Sequence, residues 1–175
     1  MQENFPVAAQ KRHLQDAGIK STVSVEIALP IREVFQYTLH NIKEWSSIVV
    51  EDEPLEPGQP VQVGYKFLTV TEEKNGHRME FKGEVTQHEE PTVHTVKMIG
   101  QVFDIEAQYL FEKLGTMSTR VTQHSNVTGK GFFKLMFGLI GWLMQKQGCQ
   151  QAQNELDNLK RIMEERPRQR NRPTE

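Results

Sequence analysis

A change of hydrophobic period at Gly129 constrains this chain more than any other feature. Upstream, apolar residues recur every second position through several runs; downstream, they recur at helical spacing over about residues 130–165. The upstream runs cover residues 65–71, 77–87, 93–99, 103–111 and 117–127. In the second, Met79, Phe81 and Val85 take one parity and Arg78, Glu80, Lys82 and Glu84 the other. In the fourth, Phe103, Ile105, Ala107, Tyr109 and Phe111 share a face; in the fifth, Met117, Thr119 and Val121 do, continued by Gln123 and Ser125. Strands with one apolar and one charged face, separated by short turn signals, predict an antiparallel sheet packed on one side only.

An earlier alternation, Val23, Val25, Ile27 and Leu29 against Ser24, Glu26 and Ala28, predicts a first strand. Pro30 stops it and suits the first turn of a helix. Val34, Phe35 and Leu39 follow at near-helical spacing, and a second short helical piece over 41–47 carries Trp45. Residues 51–60 hold four acidic residues and three prolines and read as a solvated loop. Asn75-Gly76 marks a hairpin whose register stays open. A two-residue turn pairs Val70 with Phe81 and puts Leu68 and Val70 inside. A three-residue loop with a glycine bulge puts Tyr65 and Phe67 inside, which spares two aromatics from water.

One domain accounts for 175 residues: an N-terminal arm over 1–20, a folded body over 21–165 and a basic tail over 166–175. A formal net charge of −2 gives no reason to expect nucleic acid. The tail, with Arg166, Arg168, Arg170 and Arg172, reads as solvated rather than as a contact for anionic membrane. Cys149 is the sole cysteine, which excludes a disulfide framework and a multi-cysteine zinc site. The opening Met1-Gln2-Glu3-Asn4-Phe5-Pro6 lacks the blocks of a secretory leader, so a cytoplasmic location is expected. The most apolar stretch, 131–144, includes Lys134 and falls short of the roughly 20 residues that span a bilayer.

The order of strand, two short helices, several antiparallel strands and a long last helix resembles the helix-grip fold of the START-like superfamily, which includes relatives of the birch-pollen allergen. Its polyketide cyclase/dehydrase and lipid-transport branch is the nearest in pattern. The residues carrying this are Val23–Pro30 with Val34-Phe35, Trp45, Gly83-Glu84-Val85 before Pro91, Tyr109-Leu110-Phe111 before Gly115 and Thr119, and Leu159-Lys160-Arg161. The resemblance implies an α+β fold: a curved antiparallel sheet of about six or seven strands wrapped around the C-terminal helix, with an apolar cavity between them. It further implies binding of lipids, sterols, quinones, hormones or polyketides, with catalysis in a minority of relatives.

Catalytic signatures are thin. The sequence has no Gly-x-Ser-x-Gly, no glycine-rich phosphate loop and no HExxH, and its six histidines show no metal-ligand spacing, so no metal and no cofactor are expected. His77 reads as a hairpin residue and His88 as loop. Asp104, Glu106, Glu80 and Glu84 take the outward parity, and Cys149 reads as a small core residue. His94 shares parity with Val96 and Met98, and Tyr109 lies on an apolar face, so these two are the candidate acid/base pair of an enzyme.

The leading expectation is a binder or carrier of a hydrophobic small molecule. Its expected lining is Phe67, Phe81, His94, Met98, Phe103, Tyr109, Thr119 and Gln123 from the sheet, with Phe137, Gly141 and Met144 from the helix. A cyclase or aromatase acting through His94 and Tyr109 is the alternative, and a partner- or membrane-binding module with an incidental cavity is the third reading. On the last helix, Ala152, Leu156, Leu159 and Met163 form a core stripe that continues upstream through Gly148, Gly141 and Gly138, leaving room for a ligand. Residues 132–144 are apolar nearly all round. Their outer side is expected to be covered by a second subunit in a homodimer, by the N-terminal arm or by a membrane surface.

Overall fold

The computed structural model describes residues 18–73 and 75–170, without the side chains of 133–144 and 167–170. Its elements follow the order β1 (Ile19–Ile27), α1 (Ile31–His40), α2 (Ile42–Trp45), β2 (Val49–Pro54), β3 (Lys66–Glu72), β4 (Arg78–Glu89), β5 (Val93–Ile99), β6 (Phe103–Gly115), β7 (Ser118–Gly129) and α3 (Phe132–Arg170). The seven strands form one sheet in the order β1-β7-β6-β5-β4-β3-β2, every neighbouring pair antiparallel. This is the helix-grip architecture that the family resemblance implies. No helix among the described residues is long and apolar enough to cross a membrane.

The hairpin after β3 resolves the open register. Glu72 pairs with Arg78, and Thr69 with Phe81. The Glu73 N–H donates to the His77 carbonyl at 2.9 Å, and the Gly76 N–H to the Glu73 carbonyl at 2.8 Å. Gly76 takes φ +81°, the left-handed conformation that a glycine bulge needs. Tyr65 and Phe67 therefore face inward with Thr69 and Thr71.

Three boundaries differ from the sequence reading. Ile19 and Lys20 belong to β1, paired with Val127 and Asn126, rather than to an arm. The acidic loop begins with an edge strand, β2, whose Asp52 pairs with Thr69; charged residues are what edge strands carry against further pairing. The last helix runs on to Arg170, and Arg166, although half exposed, has partners in the folded body. Its guanidinium lies 4.4 Å above the centre of the Tyr37 ring and pairs with Glu44, which also accepts from the Tyr37 hydroxyl at 3.0 Å.

The core gathers at one end of the sheet. There α1 buries Val34 and Phe35, the Phe35 ring meets Phe111 edge-on at 5.0 Å, and Leu156, Leu159 and Met163 of α3 close over Val23, Ile27 and Val121. Trp45 donates its indole N–H to the Thr38 carbonyl at 3.0 Å, holding α2 to α1. Phe132 is 70% exposed at the start of α3; the expected cover over 132–144 otherwise lies outside the described side chains. Leu159→Ala should remove about 2–5 kcal/mol of stability, read as a lower urea midpoint with an unchanged slope.

Candidate ligand cavity

At the other end of the sheet, the inner face, α2 and α3 enclose a cavity of about 420 Å³. Apolar side chains of β3 to β6 form most of its wall, among them Phe67, Phe81, Val85, Val96, Met98 and Ile105. Trp45 and Ile48 close one side, and Gly148 and Ala152 of α3 lie across from the sheet. Phe67 is the register partner of Gly83, where an added Cβ would sit 2.2 Å from the ring. The missing side chain lets that ring lie against the sheet and leaves the cavity its depth.

A bulge in β4 places the histidines. Val85 pairs with Val96, but Gln87, not Thr86, pairs with Thr95. One extra residue exchanges the faces beyond it, so His88 turns inward beside its partner His94 instead of lying in a loop. Their Nδ1 atoms are 3.0 Å apart, one donating and the other accepting, and His88 packs on Phe35 at 5.6 Å between ring centres. His94 is 6% exposed. Burial, then the neighbouring His88 and His40, lower its pKa from 6.5 to about 4, so the ring is neutral at pH 7.

Tyr109 pairs with His94 on one side and Gln123 on the other, and all three line the cavity. Burial, reinforced by the Glu155 carboxylate, holds the Tyr109 hydroxyl well above its ordinary pKa of 10, so it stays a proton donor. The Oε1 of Gln123 is buried with no hydrogen-bond partner among the described residues.

Two carboxylates complete the lining. Asp52 accepts from the Thr69 hydroxyl at 2.6 Å; burial pushes its pKa up from 3.8, against the pull of that hydrogen bond and of Lys43. Glu155, 8% exposed, accepts from the Ser47 N–H at 3.1 and 3.0 Å, from the Ser47 hydroxyl and from Gln151 at 3.1 Å. It ties α3 to the corner between α2 and β2.

Of the residues named from sequence, Phe67, Phe81, His94, Met98, Tyr109 and Gln123 come together on the cavity. Phe103 and Thr119 do not. Phe103 packs on Phe81 with ring centres 5.5 Å apart and reaches the wall only through that ring. Thr119 has the inward parity but is fully buried in the filled end of the sheet, donating to the Leu29 carbonyl at 2.8 Å. Parity assigns a face, not a depth along the sheet. Phe137, Gly141 and Met144 lie outside the described side chains.

The sequence reading misses Asp52, Glu155 and His88. Glu155 does carry a signal: it stands three residues after Ala152 and four before Leu159, on the buried stripe of α3. Asp52 carries no such signal, because it sits in the unbroken acidic run Glu51-Asp52-Glu53 ahead of Pro54.

Residues 18–164 match the model of a family described as polyketide cyclase / dehydrase and lipid transport. No curated protein matches the chain. Among solved structures, the fold is similar to TTHA0849 from Thermus thermophilus, with 18% identity, TM-score 0.64, and 81% of this chain and 94% of that one covered. It is also similar to the di-domain ARO/CYC protein StfQ of the steffimycin biosynthetic pathway, with 14% identity and TM-score 0.63. That match covers 85% of this chain and 46% of StfQ. A START superfamily protein from Mycobacterium smegmatis matches with 17% identity and TM-score 0.56, covering 79% of this chain and 99% of the other. At these identities the likeness is one of fold.

The lowered pKa of His94 sets the sign of an acid response. Between pH 6.5 and about 4 the unfolded chain holds the proton and the folded chain does not, so stability falls as pH drops through that window. The full shift corresponds to about 3 kcal/mol. Asp52 acts in the opposite sense, because its raised carboxyl binds a proton before the unfolded one does. Urea titrations at pH 7 and pH 5 should show a smaller difference for His94→Gln than for wild type, and a larger one for Asp52→Asn. An unchanged difference in His94→Gln would place the titrating group elsewhere.

Proposed function

We propose that the chain, which belongs to the polyketide cyclase / dehydrase and lipid transport family, binds an apolar small molecule in the cavity between its sheet and its long helix. The observation that carries this reading is the cavity itself: about 420 Å³, walled mainly by aliphatic and aromatic side chains, with a few polar groups converging on it. That volume falls in the range of about 300–1,000 Å³ typical of small-molecule sites. Burying an apolar ligand there gains the hydrophobic free energy that an unfilled, water-bearing cavity forgoes.

Binding is favoured over proton transfer by the chemistry of the candidate pair. A general base works best with a pKa near the operating pH, and His94 at about 4 is a weak base at pH 7. Tyr109 stays protonated. Side by side on β5 and β6, the two suit orienting a ligand oxygen. A cyclase-type reaction remains the second reading, supported by their adjacency on the cavity; it requires that His94→Gln abolish turnover of a polyketide-like substrate while binding persists.

Incubation with a lipid extract followed by native mass spectrometry should recover wild-type protein carrying apolar compounds. Ala152→Phe, which projects a ring into the cavity from α3, should recover little or none. Equal loading of both proteins, or no loading of wild type, would overturn the reading.

A further inference from the structure

We infer that the cavity selects among apolar ligands by the polar end they carry, taking those that donate hydrogen bonds, an alcohol or an amine, and turning away those that end in a carboxylate. The inference rests on the reading of the cavity as a ligand site and goes beyond it to the class of ligand.

Asp52 on β2 and Glu155 on α3 bring negative charge to the lining and Gln123 on β7 an unfilled acceptor, while the Tyr109 hydroxyl beside Gln123 supplies an uncharged donor. No lysine or arginine is among the described lining residues. Glu155 is fixed in place by Ser47 and Gln151, so its charge cannot swing away from an incoming group. His94 does not offset that charge, because its buried ring is neutral at pH 7. The buried Gln123 Oε1 has no donor among the described residues. A buried acceptor without a donor is a standing cost, relieved when a ligand hydroxyl or ammonium supplies the missing hydrogen. A carboxylate relieves nothing there. It loses its hydration on entry and meets like charge in a medium less polar than water.

The test uses the full chain and displacement of the neutral fluorophore N-phenyl-1-naphthylamine at pH 7.5, with decan-1-ol, decylamine and sodium decanoate as competitors of equal length. Decanol and decylamine should each displace the probe at a concentration about tenfold below that of decanoate. The readout is the ratio of decanoate to decanol midpoints, which is independent of how tightly each variant holds the probe. Gln123→Leu should lower that ratio by removing the unpaired acceptor, and Asp52→Asn should lower it by removing a charge. Decanoate displacing as well as decanol from wild type would overturn the selectivity and leave the cavity as a ligand site. A ratio unchanged in both variants would overturn the assignment to these residues. Failure of the fluorophore and of all three competitors to bind would overturn the ligand site itself, and the inference with it.

Discussion

The uneven filling of the space between sheet and helix is the constraint on which the rest depends. Leu156, Leu159 and Met163 fill one end completely against Val23, Ile27 and Val121, with Phe35 and Phe111 sealing that end from the side of α1. Their burial fixes α3 against β1 and β7. One turn upstream the same stripe offers Ala152 and then Gly148, which have too little bulk to reach the sheet, and the gap becomes the cavity. A close-packed interior would collapse onto such a gap if its walls could move. Here they are held: from below by the sheet, and from the side by the Glu155 carboxylate gripping the Ser47 backbone and hydroxyl. A buried ion so fully hydrogen-bonded is costly to disturb, and it stands at the boundary between the packed end and the hollow one.

The polar groups of the cavity differ in how far the protein itself fills their hydrogen bonds. His94 and His88 share one hydrogen bond, Thr69 donates to Asp52, and Ser47 and Gln151 donate to Glu155. Gln123 alone presents a buried oxygen without a donor among the described lining residues.

Most of the fold was legible because alternation is a direct imprint of which side of a strand is wet. The runs around Phe81, Val96, Tyr109 and Val121 identified β4 to β7 and their inner faces, and the helical stripe from Ala152 to Met163 identified the gripping face of α3. What alternation does not record is depth, and so Thr119 and Gln123, two repeats of the same pattern apart, could not be sorted into core and cavity. Nor does it record an inserted residue: the bulge at Thr86 leaves no mark in composition, yet it decides that His88 faces Phe35. Glu155 was obscured by its own charge, since a carboxylate on a buried stripe reads as an exception until the Ser47 donors that keep it there are seen. Asp52 was hidden by a neighbourhood of acids and prolines that suggests a loop, although an edge strand tolerates the same composition.

The bulge also makes β4 one residue longer than its partner requires. Thr86 faces no residue of its own on β5, so the ladder on either side, Val85 with Val96 and Gln87 with Thr95, would stay in register without it. Insertions and deletions are ordinarily confined to loops because in a paired strand they turn every following side chain over. At a bulge such as this the rule is suspended. A chain shortened by Thr86 would keep each inner residue inner and lose only local bend and twist, flattening the floor of the cavity. The strand thus holds a site where chain length can drift without scrambling the fold, and where such drift would reshape the cavity rather than its lining.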